Sequence, residues 1–306
     1  MQITAANLEV RDGAELRVSA LGIGNAGNVT LKIRETARLR GNFSSVSSQV
    51  SSNGKGKGGD VQILATNLEV LQGAQISAST FGIGDAGSVV LEISETAHFE
   101  GHSIDGNSSG AFSSVGTNGK GQGGDVQIIA SNLEVINGAV LSASTFGIGN
   151  AGNVILEIRE TAHFEGRNSV DGNPSGAFSS VGTNGKGRGG DIWITAGNLE
   201  VLPGAEIGAG TFGVGDAGNV ILEIRETARF EGSVVFSNIA SDGQGQGKNV
   251  QITAGSLEVL NGGQILASTL GTGDAGNVIL DIREIARFEG RHPINGGPSG
   301  AFSLRG

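Results

Sequence analysis

The sequence predicts an all-β chain, a right-handed, single-stranded parallel β-helix of about ten three-strand coils, two coils to each repeat of about 60 residues. Three observations predict it. The first is self-similarity: Asn-Leu-Glu-Val recurs with its leucine at Leu8, Leu68, Leu133 and Leu199, and as Ser-Leu-Glu-Val at Leu257, at spacings of 60, 65, 66 and 58 residues. The second is strict alternation of apolar residues, as in Val126-Gln127-Ile128 and Leu133-Glu134-Val135, which marks strands rather than helices. The third is composition. With 55 glycines, 4 prolines and no cysteine in 306 residues, the chain fits neither collagen nor a disulfide scaffold.

Each repeat carries its landmarks in the same order. After the Leu-Glu-Val strand comes Gly-x-Gly-(Asp/Asn)-Ala-Gly, preceded by Leu21, Phe81, Phe146, Phe212 or Leu270. Then follows Glu-(Thr/Ile)-Ala-(Arg/His)-(Phe/Leu), with its glutamate at Glu35, Glu95, Glu160, Glu226 and Glu284. The whole chain, 1–306, is therefore one repeat domain, with units at about 1–58, 59–123, 124–189, 190–248 and 249–306. Each unit divides into two halves of three short strands, bounded by the Gly, Asn, Asp and Ser that turns select. Neither half can bury an apolar face alone, but stacking coil on coil pairs every strand and continues one interior. At strand spacing, ten coils make a rod about 50 Å long. The expected lining is Val61, Ile63, Leu68, Val70, Ile76, Val89, Leu91, Phe99 and Phe112 with their counterparts, and Phe81 and its equivalents are placed as plugs in the turns.

Registering the halves produces an outward row of Glu9, Arg38, Glu69, His98, Glu134, His163, Glu200, Arg229, Glu258 and Arg287. Acid and base alternate from coil to coil, a device that penalises register slip because like charges would then meet. The row also assigns His98 and His163 to solvated ladder positions, since arginine takes the same place in other units. Trp193 takes the outward place held by Gln62, Gln127 and Gln251 and reads as a surface aromatic.

Chemistry is sparse. There is no cysteine nucleophile, no Ser, His and Asp set stands apart from the repeats, and catalytic carboxylates on a β-helix would break the repetition locally, which near-identical units do not. The chain is accordingly expected not to be an enzyme, with a polysaccharide lyase or hydrolase as the alternative. Gly-Lys-Gly-x-Gly-Gly-Asp at 119–125 and 185–191 lacks the Gly-Lys-Ser/Thr ending and the following helix of a phosphate loop and reads as a corner. The Gly-x-Gly-Asp-Ala-Gly turns lack the tandem spacing of calcium-binding nonapeptides, and Asn25 and Asn150 replace Asp85, Asp216 and Asp274. Positive-φ glycines with Asx side chains capping backbone amides account for them, so no cofactor is expected, and calcium is the ion left open. A net charge of −10 disfavours nucleic acid as partner, and no apolar run reaches the roughly 20 residues of a membrane span.

Segments such as Gly-Asn-Leu-Glu-Val-Leu-Pro-Gly-Ala-Glu-Ile at 197–207 and Thr-Phe-Gly-Val-Gly-Asp-Ala-Gly-Asn-Val at 211–220 resemble the repeats of filamentous-haemagglutinin-type exoproteins, cyanobacterial members above all. The resemblance covers essentially the whole chain. It implies an adhesin exported by two-partner secretion through an outer-membrane transporter and displayed extracellularly or on the bacterial outer-membrane surface. Such exoproteins begin with a signal peptide and a capping secretion domain, whereas this sequence starts mid-unit at Met1-Gln2-Ile3 and stops within a corner. A segment of a longer protein is expected, with uncapped ends open to end-to-end association.

What varies between units are inserts at 102–109, 167–175 and 291–299. Loops on a rigid scaffold are where recognition concentrates, so Asp105, Asn107, Asp171, Asn173 and Asn295 are the candidate ligands for sugar hydroxyls on surface glycans. The competing expectation is a structural spacer whose loops merely tolerate insertion.

Overall fold

The structure is a computed structural model that describes residues 1–305. Its 28 strands all pair in parallel with counterparts one coil away. The register follows the repeat: Val61 pairs with Val89 and Val89 with Val126, Leu68 with Ala97 and Ala97 with Leu133, Ile76 with Ala111 and Ala111 with Leu141. Ten coils result, as the two-halves reading requires. The third strands of all coils form one ten-stranded sheet. First and second strands join in a second sheet because Val220–Glu231 and Val250–Leu260 each run through the corner unbroken. Between those two strands the register shifts at Ile224 to Thr227, where the even-numbered coil carries its extra residue as a bulge.

The interior is filled by complementary stacking. In the second-strand ladder Leu68 lies on Ala97 and Ala97 on Leu133, while Val70 lies on Phe99 and Phe99 on Val135, all fully buried. A large side chain at one position is thus compensated by a small one beside it, so each coil keeps nearly the same core volume, the condition for close packing along a rod.

Two core expectations fail. Phe112 is not interior: Ala111 is the buried residue, and Phe112 points outward in register with Ser77 and Ser142. Alternation at the paired strand settles the parity, since Ile76 and Leu141 face inward on either side of Ala111. Phe81, Phe146 and Phe212 do not plug the turns either. They are 42%, 44% and 38% exposed, and a methyl added at Gly116 or Gly182 would run into the Phe81 or Phe146 ring, which places each ring on the outer surface of the next coil.

The Gly-x-Gly turns stack with almost no space between coils. Gly84 and Gly149 hold φ of +135° and +138°, and a side chain on either would collide with the carbonyl of the glycine one coil below. Glycine is required there both by conformation and by approach. The acidic or amide residue that follows caps the neighbouring coil: Asn25, Asp85, Asn150 and Asp216 accept from the backbone amides of Lys57, Gln122, Arg188 and Gln246 at 2.8–3.0 Å.

Candidate ligand-binding face

The three sides of the rod present different chemistry. On the second-strand side the alternating charges meet in pairs, each engaged acid contacting a base in one adjacent coil rather than in both. Arg38 donates twice to Glu69, at 2.5 and 2.9 Å, and His98 Nδ1 lies 2.5 Å from Glu134, His163 Nδ1 2.9 Å from Glu200. Arg229 reaches Glu258 at 4.0 Å. A companion acid two residues along the same strand adds a contact the sequence reading missed, as in His98 with Glu100 at 3.1 Å and His163 with Glu165 at 3.2 Å. The hydrogen bond from Arg38 holds the Glu69 carboxyl below its ordinary range against the opposing effect of desolvation. Those from Arg229 and Asn261 do the same for Glu231. These side chains are engaged with their own neighbours.

A second ladder runs along the corner before the first strand. Asn28, Asp60, Ser88, Asp125, Asn153, Asp191, Asn219 and Asn249 each accept from the backbone amide of the next coil at 2.7–3.2 Å. Asp60, Asp125 and Asp191 follow Gly-Gly, and Asn28, Ser88, Asn153 and Asn219 follow Ala-Gly, so the signal was in the sequence, although only Asp125 and Asp191 fell within a corner motif named there. On the first-strand side Trp193 stands 51% exposed, beside Ile155 and Ile221 in the adjacent coils, as its outward position required.

The third-strand side is different. Its outward row reads Ser47, Ser77, Phe112, Ser142, Phe178, Gly208 and Phe236 from coil to coil. A Cβ on Gly110 would lie 3.0 Å from Phe112 Cζ, and one on Gly176 the same distance from Phe178 Cζ. Each ring is therefore laid back along its own strand over the glycine two residues before it, and both remain half-buried. Beside this row the rings of Phe81, Phe146 and Phe212 form a second track, and Phe212 meets Phe236 edge to face with centroids 6.5 Å apart. Between the tracks and the insert loops lies a groove of about 580 Å³.

The inserts form the other wall. Each is closed at its neck by a serine amide donating to a glycine carbonyl: Ser109 to Gly101, Ser175 to Gly166 and Ser299 to Gly290, at 2.9–3.1 Å. The loops at 102–109 and 167–175 also hold each other. His102 Nε2 lies 3.0 Å from Ser169 Oγ, and Asn168 donates to the Gly106 carbonyl at 2.9 Å.

Of the five sequence candidates, Asn107 and Asn173 line the groove. Asp171 instead accepts from Asn173 at 2.6 Å, and Asp105 from Asn42 at 2.7 Å. Asn295 caps Gly297 within the separate loop at 291–299 at 2.9 Å. The structure thus groups four of the five on one wall and leaves Asn295 apart, because the shorter fourth unit intervenes. The residues missed are Phe112 and Phe178, and the glycine two before each phenylalanine, together with strand parity, was the signal that could have found them.

No family model matches this chain, and no curated protein matches it. A solved structure described as a TibC-catalysed hyper-glycosylated TibA fragment aligns over 94% of this chain and 100% of that one, at 13% identity and a TM-score of 0.19. That likeness is too slight to support any statement about this protein. No helix among the described residues is long and apolar enough to cross a membrane.

Proposed function

We propose that this chain is a non-catalytic, elongated binding segment of an adhesin-type protein, displayed extracellularly or on a bacterial outer-membrane surface. The observation that supports this reading most is the division of labour between the sides of the rod. One side is tiled by side chains that bind one another across coils, whereas the third-strand side carries a groove overhung by the inserted loops of units two and three. A rigid scaffold with one differentiated face suits recognition. The resemblance of the repeats to filamentous-haemagglutinin-type exoproteins adds the two-partner secretion route and an outer-membrane transporter as partner. No cofactor is assigned, since the aspartates of the glycine turns are already occupied by backbone amides.

The test is retention of the purified rod on whole cells and on immobilised cell-surface polysaccharides, with release of soluble sugar measured in parallel. Retention without released sugar is the expected result. Release of sugar would overturn the non-catalytic reading, and absence of retention on every surface would leave a structural spacer.

A further inference from the structure

We propose that the third-strand groove binds an uncharged, extended polysaccharide lying along the rod axis, with a pair of aromatic rings, one from each track, for every two sugar units; this rests on the adhesin-type reading above. Four observations lead there. In successive coils the groove presents Phe112, Phe146, Phe178, Phe212 and Phe236, taken alternately from the strand track and the turn track. The Phe146 ring lies over Gly182 in the coil that carries Phe178, and Phe212 meets Phe236 edge to face, so the rings come in pairs, one from each track, that repeat every two coils, about 9–10 Å. An extended glycan whose neighbouring sugar units turn over about a twofold screw likewise presents an equivalent apolar face every two units.

The second observation is how the rings are held. Phe112 and Phe178 lie back over Gly110 and Gly176, so that the side of the ring rather than its tip is offered to the groove. Sugar C–H groups pack on such surfaces, and a rigid, half-buried ring loses little rotamer freedom on binding. Phe146 and Phe212 keep 44% and 38% of their surface exposed, which is unusual for phenylalanine in a protein that buries Phe99, Phe164 and Phe230 completely.

The third is the polar complement. Asn107 and Asn173 stand on the insert wall and Gln75 on the strand below, amides that both donate to and accept from hydroxyl groups.

The fourth is charge. Glu206 is the one charged side chain lining the groove, and Arg167 pairs with it at 2.9 Å. In a chain of net charge −10, a groove without an unpaired cation repels polyanions and suits a neutral chain.

The experiment measures binding of neutral β-linked glucan oligosaccharides of two to eight units, with oligogalacturonate as the anionic probe, to the full chain by calorimetry. Affinity is expected to rise with each added pair of sugars until the groove is filled, and oligogalacturonate is expected not to bind. Phe112→Ala and Phe178→Ala should each weaken binding about tenfold, while Trp193→Ala, on another side, leaves it unchanged. Circular dichroism and thermal melting confirm that the variants fold. Length-independent binding, equal binding of the phenylalanine variants, or equal binding of oligogalacturonate overturns the proposal. If the rod is retained on cells yet the phenylalanine variants are retained equally, the groove assignment fails and the adhesin-type reading stands. If the rod is retained on nothing, both fail.

Discussion

The second-strand and third-strand sides of the rod are built from the same repeat, at the same spacing, and use their outward positions in opposite ways. On the second-strand side most charged residues engage an opposite charge in one adjacent coil, so that Arg38 binds Glu69 and His98 binds Glu134 within the protein. On the third-strand side Phe112 and Phe178 alternate with the small residues Ser77, Ser142 and Gly208, and those two rings lie over their own strands. A repeated position facing an identical position above and below can either complement its neighbour or leave its chemistry for something else. In this solenoid the first choice fixes register and the second leaves a surface for binding.

The sharpest way to test that contrast is to remove the same residue type from inside and outside. Phe99, fully buried beneath the second-strand side, should cost about 3–5 kcal/mol as Phe99→Ala in chemical denaturation. Phe112→Ala, half-buried on the third-strand side, should cost about 1 kcal/mol. Equal losses would mean that Phe112 is a structural residue and the contrast is false.

Next in size is the register device itself. Glu69→Lys places a cation beside Arg38 and His98 and should lower stability by about 1 kcal/mol, with the deficit shrinking as salt is added. A substitution without effect would show that the alternating row is decorative.

Acid should act on the same side. Because hydrogen bonds from Arg38 and Arg229 lower the Glu69 and Glu231 pKa values in the folded state, their contribution is present at neutral pH. It is lost as the pH falls from the ordinary carboxylate range through those depressed values. Thermal melts between pH 7 and 3 should show a drop that Arg38→Ala reduces, while Phe112→Ala leaves the drop unchanged. Both pairs are partly exposed to solvent, so the effect is modest.

The smallest effects belong to the groove wall and the turns. Asn107→Ala and Asn173→Ala should shift stability by less than about 0.5 kcal/mol, whatever they do to binding. Chelation by EDTA should leave the melting temperature unchanged, because Asp85 and Asp216 cap backbone amides; a fall would assign calcium a structural role.

The sequence alone determined the architecture. Repetition with period-2 alternation admits one economical solution, stacked parallel coils, and the same repetition placed Glu69 beside Arg38 and His98 without any coordinates. Buried positions such as Ile63, Val70 and Phe99 followed from alternation within each strand, because a pleated strand leaves only two faces to choose between. What the sequence did not yield was which face the closing strand turned inward at Gly110-Ala111-Phe112. Size argues for burying phenylalanine, and parity argues for alanine. Only the pairing with Ile76 and Leu141 decided for parity, since a one-residue slip would have turned every side chain of that strand over. The groove was invisible for the same reason. Its floor, its two aromatic tracks and its insert wall come from residues as far apart in the chain as Gln75 and Phe236. Only the stacking of coils brings them together.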